Sequence, residues 1–277
     1  GGGVFTVFYF KKGKYEKTSP KKKAVGITVV SLCVLLAFGS GFLMVRDLNQ
    51  YTKSAGAYDE LAENVELPEP AEASEETAGG AETDGEDSGV ILPVVDFEAL
   101  KKNGPDIIGW ITLPDSAIKT DNNEYYLRHL YDGTYNKAGC LFADYENQAD
   151  FSDRNTIIYG HNMRDGSMFA VLNQYDGQPY FDTHRQMYLV TPTGGYVMEI
   201  FSAFAAKPAE SGSDTSPWRL NWKDDGAYTT WLRAMAERSV VETDVSVTSS
   251  DKVLTLSTCT PGGASRFIVM GKLVEVQ

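Results

Sequence analysis

One stretch limits what this chain can fold into more than any other. Ala24–Val45, "AVGITVVSLCVLLAFGSGFLMV", is twenty-two residues long and carries no charge. At about 1.5 Å per residue, a helix of that length crosses a hydrocarbon core of roughly 30 Å. A surface helix of a globular domain keeps a polar face, and this run is apolar all round. A cleavable signal, the alternative, has an apolar core of only about 7–15 residues. A small-residue site, "SAGA" at Ser54–Ala57, lies well beyond the run. Lys11, Lys12, Lys14, Lys17, Lys21, Lys22 and Lys23 precede it against a single Glu16. Such a basic flank stays on the cytoplasmic side. The expected layout is a basic cytoplasmic segment over 1–23 and a single-pass transmembrane anchor over 24–45, with everything later extracytoplasmic. The run "VFTVFYF" (Val4–Phe10) fits neither part, and no Met opens the chain.

Beyond the anchor the composition changes twice. The net charge of −13 misleads, because twelve acidic residues and no Lys or Arg fall between Asp59 and Asp87. The remainder is nearly neutral, and no basic, aromatic-studded patch follows the first fifty residues, so nucleic acid is not an expected partner. Residues 46–92, rich in Glu, Ala, Gly, Pro and Ser, cannot bury enough apolar area to offset their ordering entropy. They read as an acidic extracytoplasmic linker holding the next domain off the membrane, with a short helix possible in "DLNQYTKSAGAYDELAENVE".

From Pro93 the text becomes globular. "DFEALKKN" has helical spacing and stops at "NGP". Then "IIGWITL", "GCLFADY", "NTIIYG", "QMYLVT", "GYVMEIFSAFAA", "KVLTLST" and "RFIVMGKLVEV" follow, short β-branched and aromatic runs between Gly, Asn, Asp and Pro clusters. That is the pattern of a mainly antiparallel sheet or barrel. "SMFAVLNQY" predicts a short helix. "DDGAYTTWLRAMAERS" predicts a longer amphipathic one, with Tyr228, Trp231, Leu232, Met235 and Ala236 on one face and Asp224 or Asp225 as cap. The fold class is mainly β, with helices added.

Three cysteines are present, and Cys33 falls in the apolar run. Cys140 and Cys259 can form a disulfide, sit as two inert buried thiols, or include a nucleophile. Cys140, inside "AGCLFADY", looks like a packed small residue. In "KVLTLSTC" the alternation sets Leu254, Leu256 and Thr258 on one face and Thr255, Ser257 and Cys259 on the other, more polar one. Cys259 thus ends a strand just before the loop "TPGGAS", where a reactive group stands at a rim. A free thiol, with a pKa of about 8.5, needs help to act at neutral pH, and a histidine supplies it. Of His129, His161 and His184, His161 ends the strand of "NTIIYGHNM" after Gly160; the other two sit in polar segments. Arg266, across the short loop from Cys259, can aim a planar guanidinium at a developing oxyanion.

The blocks "NTIIYGHNM", "TLSTC" and "RFIVMGKL", in that order behind an anchor, resemble a sortase, one of the bacterial transpeptidases that attach proteins to cell walls or join pilins. "DFEALKKNGPDIIGWITL", "DNNEYYLRH" and the long helix before the Cys strand resemble the class B branch. No segment like the DPW or DPF lid of class C pilin polymerases precedes the core. The resemblance, over about Pro93–Gln277, implies an eight-stranded β-barrel with added helices as the catalytic domain, 93–277. It implies that Cys259 attacks a sorting motif of NPxT[NG] or [LS]PxTG type after Thr, forming a thioester. His161 would move the protons and Arg266 would hold the oxyanion. Asn123, Leu127 and Ser257 would line the motif groove. The implied partners are secreted proteins with a sorting signal and an amine of peptidoglycan or a pilin Lys; no metal or cofactor is implied. Two other readings stand beside it. An L,D-transpeptidase carries an SHGC-like motif, absent here, and papain-like wall peptidases place Cys before His. A tethered binding module with the same fold and no catalysis is the remaining alternative.

Overall fold

The computed structural model describes residues 20–66, 92–111, 115–118 and 122–276. The basic segment before Pro20, including Val4–Phe10, and most of the acidic segment, 67–91, lie outside the described residues. The chain divides into two compact units between Asn49 and Gln50.

A helix, α1, runs from Pro20 to Ala62. Its first part belongs to the N-terminal unit and exposes Val25, Leu35, Phe38, Phe42 and Val45. Among the described residues it is the one helix long and apolar enough to cross a membrane.

In the second unit, Gln50–Ala62 of α1 packs as part of the domain. Leu61 is fully buried in a cluster with Phe97, Leu100, Trp110, Tyr126, Tyr131 and Phe142. Tyr58 donates to the Gly139 carbonyl, Tyr131 to that of Ala57, and Asn136 to that of Gln50. Two short strands follow, β1 (Val65–Glu66) and β2 (Val94–Val95), paired antiparallel as Val65↔Val95 and Glu66↔Val94. This corrects the linker expected over 46–92. Residues 50–62 of it form a packed helix, and β1 and β2 pair the residues on either side of 67–91. The composition of the whole window hid the apolar register Tyr51, Tyr58, Leu61 within it.

Helix α2 (Phe97–Asn103) is capped by Asp96, whose carboxylate accepts the Ala99 N–H, and buries Phe97 and Leu100. The strands β3 (Ile107–Ile111), β4 (Asp115–Ile118), β5 (Leu141–Ala143), β6 (Asn155–Tyr159), β7 (Gln186–Thr191), β8 (Gly194–Ala206), β9 (Lys252–Cys259) and β10 (Arg266–Val276) close into one barrel. The order is β10-β8-β7-β3-β4-β5-β6-β9, with β9 returning to β10. The pairs β4·β5 and β6·β9 are parallel and the others antiparallel. An eight-stranded barrel with added helices is therefore what forms. Its core gathers Ile158, Leu189, Met198, Ile200, Leu254, Leu256 and Val269. A 3₁₀ helix, Phe169–Asp176, stands where "SMFAVLNQY" predicted a short helix, and α3 (Gln178–Thr183) follows it.

Helix α4 (Asp225–Glu237) is the predicted amphipathic helix, capped by Asp224 through the Ala227 N–H. It lays Tyr228, Trp231, Leu232 and Met235 onto Phe201, Phe204, Val253, Ile268 and Met270; Ala236 stays exposed. That layer covers the face of β9 opposite to Leu254 and Leu256, the face on which Thr255, Ser257 and Cys259 lie.

Candidate active site

The parallel ladder between β6 and β9 ends with Tyr159 opposite Ser257. His161 and Cys259 each lie two residues further on. Strand β6 ends at Tyr159 and the chain leaves the ladder through Gly160, whose N–H donates to the Ser257 carbonyl, so His161 follows at the same end of the barrel as Cys259. On the other side of β9, Arg266 is the register partner of Cys259. Directly opposed residues of an antiparallel pair have Cβ atoms about 5 Å apart. Three contiguous strands thus gather His161, Cys259 and Arg266 at one rim, each half-buried.

Local chemistry explains each placement. Gly160 precedes His161 because a Cβ there would collide with Leu141 and Phe169; the reason is space, since its φ is not in the left-handed region. His161 Nε2 lies 2.8 Å from the Leu127 carbonyl. A carbonyl only accepts, so Nε2 donates and Nδ1 is the acceptor of the neutral ring. Between β9 and β10 the loop Thr260–Ser265 turns through Gly262 and Gly263, at φ 85 and 76. The Thr260 N–H donates to the Ser265 carbonyl at 3.0 Å. None of Cys33, Cys140 and Cys259 is in a disulfide, so no bridge joins Cys140 to Cys259. Cys140 is buried among Tyr126 and Phe142, as its apolar setting suggested.

Beside the rim lies a cavity of about 190 Å³ lined by Tyr159, Pro208, Ser211, Trp218, Ser257 and Arg266. The Trp218 indole N–H donates to Ser257 Oγ at 3.1 Å, which leaves the hydroxyl proton free to donate outward. Among the described residues no carboxylate pairs with Arg266, whose Nη1 donates to the Ser265 carbonyl. Under the cavity, Tyr159 donates to the buried Asp144 carboxylate at 2.8 Å. Asp144 also accepts from Asn123 Nδ2 and the Glu146 N–H. Burial first, then the Asp144 charge, pushes the Tyr159 phenol far above its usual range, so it stays a proton donor.

The six residues singled out in the sequence are placed as follows. His161, Cys259, Arg266 and Ser257 come together. Leu127 joins them through its carbonyl on His161. Asn123 does not present a free amide, because Nδ2 is held by Asp144 and Oδ1 accepts the Tyr145 N–H. Trp218, Tyr159 and Asp144 were not singled out. Trp218 sits 39 residues before Ser257, in the long connection after β8, and nothing local announces the contact. His129 stacks on Tyr125, and His184 is exposed.

Comparison with known proteins agrees with this geometry. The sequence profile described as "Sortase domain" matches residues 117–274. Sortase B of Listeria monocytogenes is 34% identical over 183 residues, which cover 63% of this chain and 72% of that protein. Sortase B of Staphylococcus aureus is 30% identical over 188 residues, covering 65% and 75%. A crystal structure of a Bacillus anthracis protein similar to sortase B superposes with a TM-score of 0.63 at 32% identity, covering 83% of this chain and 98% of that one. The barrel, the rim and these matches over more than half of the chain agree: it belongs to the sortase family, in the class B branch, and is a cysteine transpeptidase.

Proposed function

We propose that Cys259, His161 and Arg266 carry a two-step acyl transfer on a C-terminal sorting motif. Cys259 gives its thiol proton to His161 Nδ1, its sulfur attacks the Thr carbonyl carbon of the motif, and Arg266 holds the resulting oxyanion. The C–N bond breaks as imidazolium His161 gives its proton to the departing amine, leaving a thioester on Cys259. An incoming amine then loses its proton to His161, attacks the thioester carbon and expels the thiolate. The observation that carries this reading is the register: Cys259 opposite Arg266, and His161 two residues beyond the Tyr159↔Ser257 pair.

The cavity beside the rim suits a motif peptide, with Ser257, Trp218 and Tyr159 among its lining residues. Asn123 contributes behind it, through Asp144. A motif of NPxT[NG] or [LS]PxTG type fits the class. The acceptor is an amine of peptidoglycan or a pilin Lys, and one solved sortase B is described as complexed with Gly3. The apolar part of α1 anchors the chain, and the catalytic unit stands outside the membrane, where secreted substrates pass.

The test is a panel of fluorogenic NPxTN, NPxTG, SPxTG and LPxTG peptides offered to the full chain in detergent micelles. Cleavage after Thr, absent in Cys259→Ala, is expected for one motif. An intact panel with Cys259 inert to a methanethiosulfonate reagent would instead support a tethered binding module.

A further inference from the structure

The backbone carbonyl of Cys259 is bound by two side chains. Asn162 Nδ2 donates to it at 2.9 Å and Asn173 Nδ2 at 3.3 Å. The β6·β9 ladder shows why this is unusual. Its last backbone bond runs from Gly160 N–H to the Ser257 carbonyl, at 3.2 Å. In a parallel ladder continued by two residues, the Asn162 N–H would meet the Cys259 carbonyl next. The backbone instead turns away at His161. Asn162 forms an isolated bridge with Met168, and the His161 carbonyl accepts the Phe169 N–H at 2.9 Å. The Asn162 side chain fills the vacated rung. Asn173, from the 3₁₀ helix Phe169–Asp176, adds a second donor from another element. The turn holding this arrangement closes at Met168, a non-glycine residue at φ 55 that is 2% exposed. Such a backbone persists only where its surroundings hold it.

We propose that Asn162, seconded by Asn173, is a positioning residue that fixes the Cys259 backbone against the His161 turn. The chain can then leave the sheet at His161, which frees the imidazole to face the thiol, while a side-chain amide keeps the two strands in register. This rests on the assignment of Cys259 and His161 above. Neither amide touches substrate or a reacting atom; both act through the position of Cys259.

The test uses the full chain in detergent micelles and the motif peptide it cleaves. Asn162→Asp keeps the shape and replaces the donor by an oxygen facing a carbonyl oxygen. Misplacement of about 1 Å costs roughly a hundredfold in rate, so kcat is expected to fall about 10–100-fold with KM within about twofold. Asn162→Ala should fall in the same direction, and Asn173→Ala less. The double variant should lose more than the two single losses combined, because each amide backs up the other. Every rate is taken per folded molecule, counted by thiol-reagent incorporation at Cys259 and by thermal unfolding. Wild-type kcat in a folded Asn162→Asp or Asn162→Ala protein overturns the proposal. So does a loss explained wholly by unfolding in both, which makes Asn162 a structural residue. Cys259→Ala run alongside separates the failures: activity surviving there sinks the assignment of the nucleophile, whereas its loss beside an active Asn162→Asp sinks only the positioning role.

Discussion

Replacing Leu61 by Ala tests where the catalytic unit begins. Leu61 lies one residue from the end of α1, is fully buried, and touches a cluster rich in aromatic rings, including Phe97, Trp110, Tyr126 and Tyr131. Leu-to-Ala changes in cores cost about 2–5 kcal/mol, more where the walls cannot close on the void. Rings anchored elsewhere close poorly: Tyr131 is tied to the Ala57 carbonyl and Tyr126 to Asp106. A loss of about 3 kcal/mol is therefore expected. For a chain running from Gln50 to Gln277, with a urea m-value of about 2–3 kcal/mol/M, the midpoint should drop by about 1–1.5 M. The melting temperature should fall by roughly 6–12 °C. Turnover per folded molecule should hold, because Leu61 is not among the residues gathered at the rim. A loss below about 0.5 kcal/mol, the range of ordinary surface changes, would refute the reasoning and return residues 46–62 to the tether that composition suggests. A chain started at Pro93 loses Leu61 and all three hydrogen bonds from Gln50–Tyr58 at once, and should unfold at lower urea still.

Arg266→Lys should lower kcat/KM by about 10²–10³-fold, because one ammonium does not reproduce the planar fork; near-normal turnover in the peptide assay would remove Arg266 from the mechanism. Tyr159→Phe addresses the buried phenol. Its raised pKa favours the neutral form in the fold, so its contribution is complete below the unfolded value of about 10 and is lost as pH rises beyond it. Unfolding free energy should therefore fall more steeply in wild type than in Tyr159→Phe above that pH, by about 1.4 kcal/mol per pH unit. Equal slopes in urea titrations would show that Tyr159 ionises freely.

Much of this was legible where local chemistry sets local structure. The helix in "DFEALKKN", the cap at Asp224 or Asp225, the stripe Tyr228–Met235 and the end of a strand at Cys259 were read from spacing alone, and the structure repeats them, with Asp224 as the cap. The missed pieces depend on partners far along the chain. "DSAI", strand β4, has no β-branched run and is held by β3 and β5 on either side. "QPYFDT", helix α3, is too short for periodicity to show. Asn123 was read as a groove residue, and only folding brings it to Asp144, 21 residues away. Asn162 stood beside His161 in a motif already singled out, but its role requires knowing that the backbone leaves the ladder there.

The short loop between Cys259 and Arg266 ties several of these features together. Its own hydrogen bonds close it: Thr260 N–H and Oγ1 both donate to the Ser265 carbonyl, and Ser265 N–H donates back to Thr260 Oγ1. A loop so occupied with itself has two consequences. The Thr260 N–H, the next backbone donor along the chain after Cys259, is spent on Ser265, which under the proposed mechanism leaves the oxyanion to Arg266. The loop also contributes no residue to the cavity lining, which includes Pro208, Ser211 and Trp218 from the connection after β8. Motif preference should then follow changes at Trp218 rather than changes at Pro261–Ala264. Exchanging these two segments separately and re-running the peptide panel distinguishes the cases, and a motif preference that moved with the short loop would contradict this division of labour.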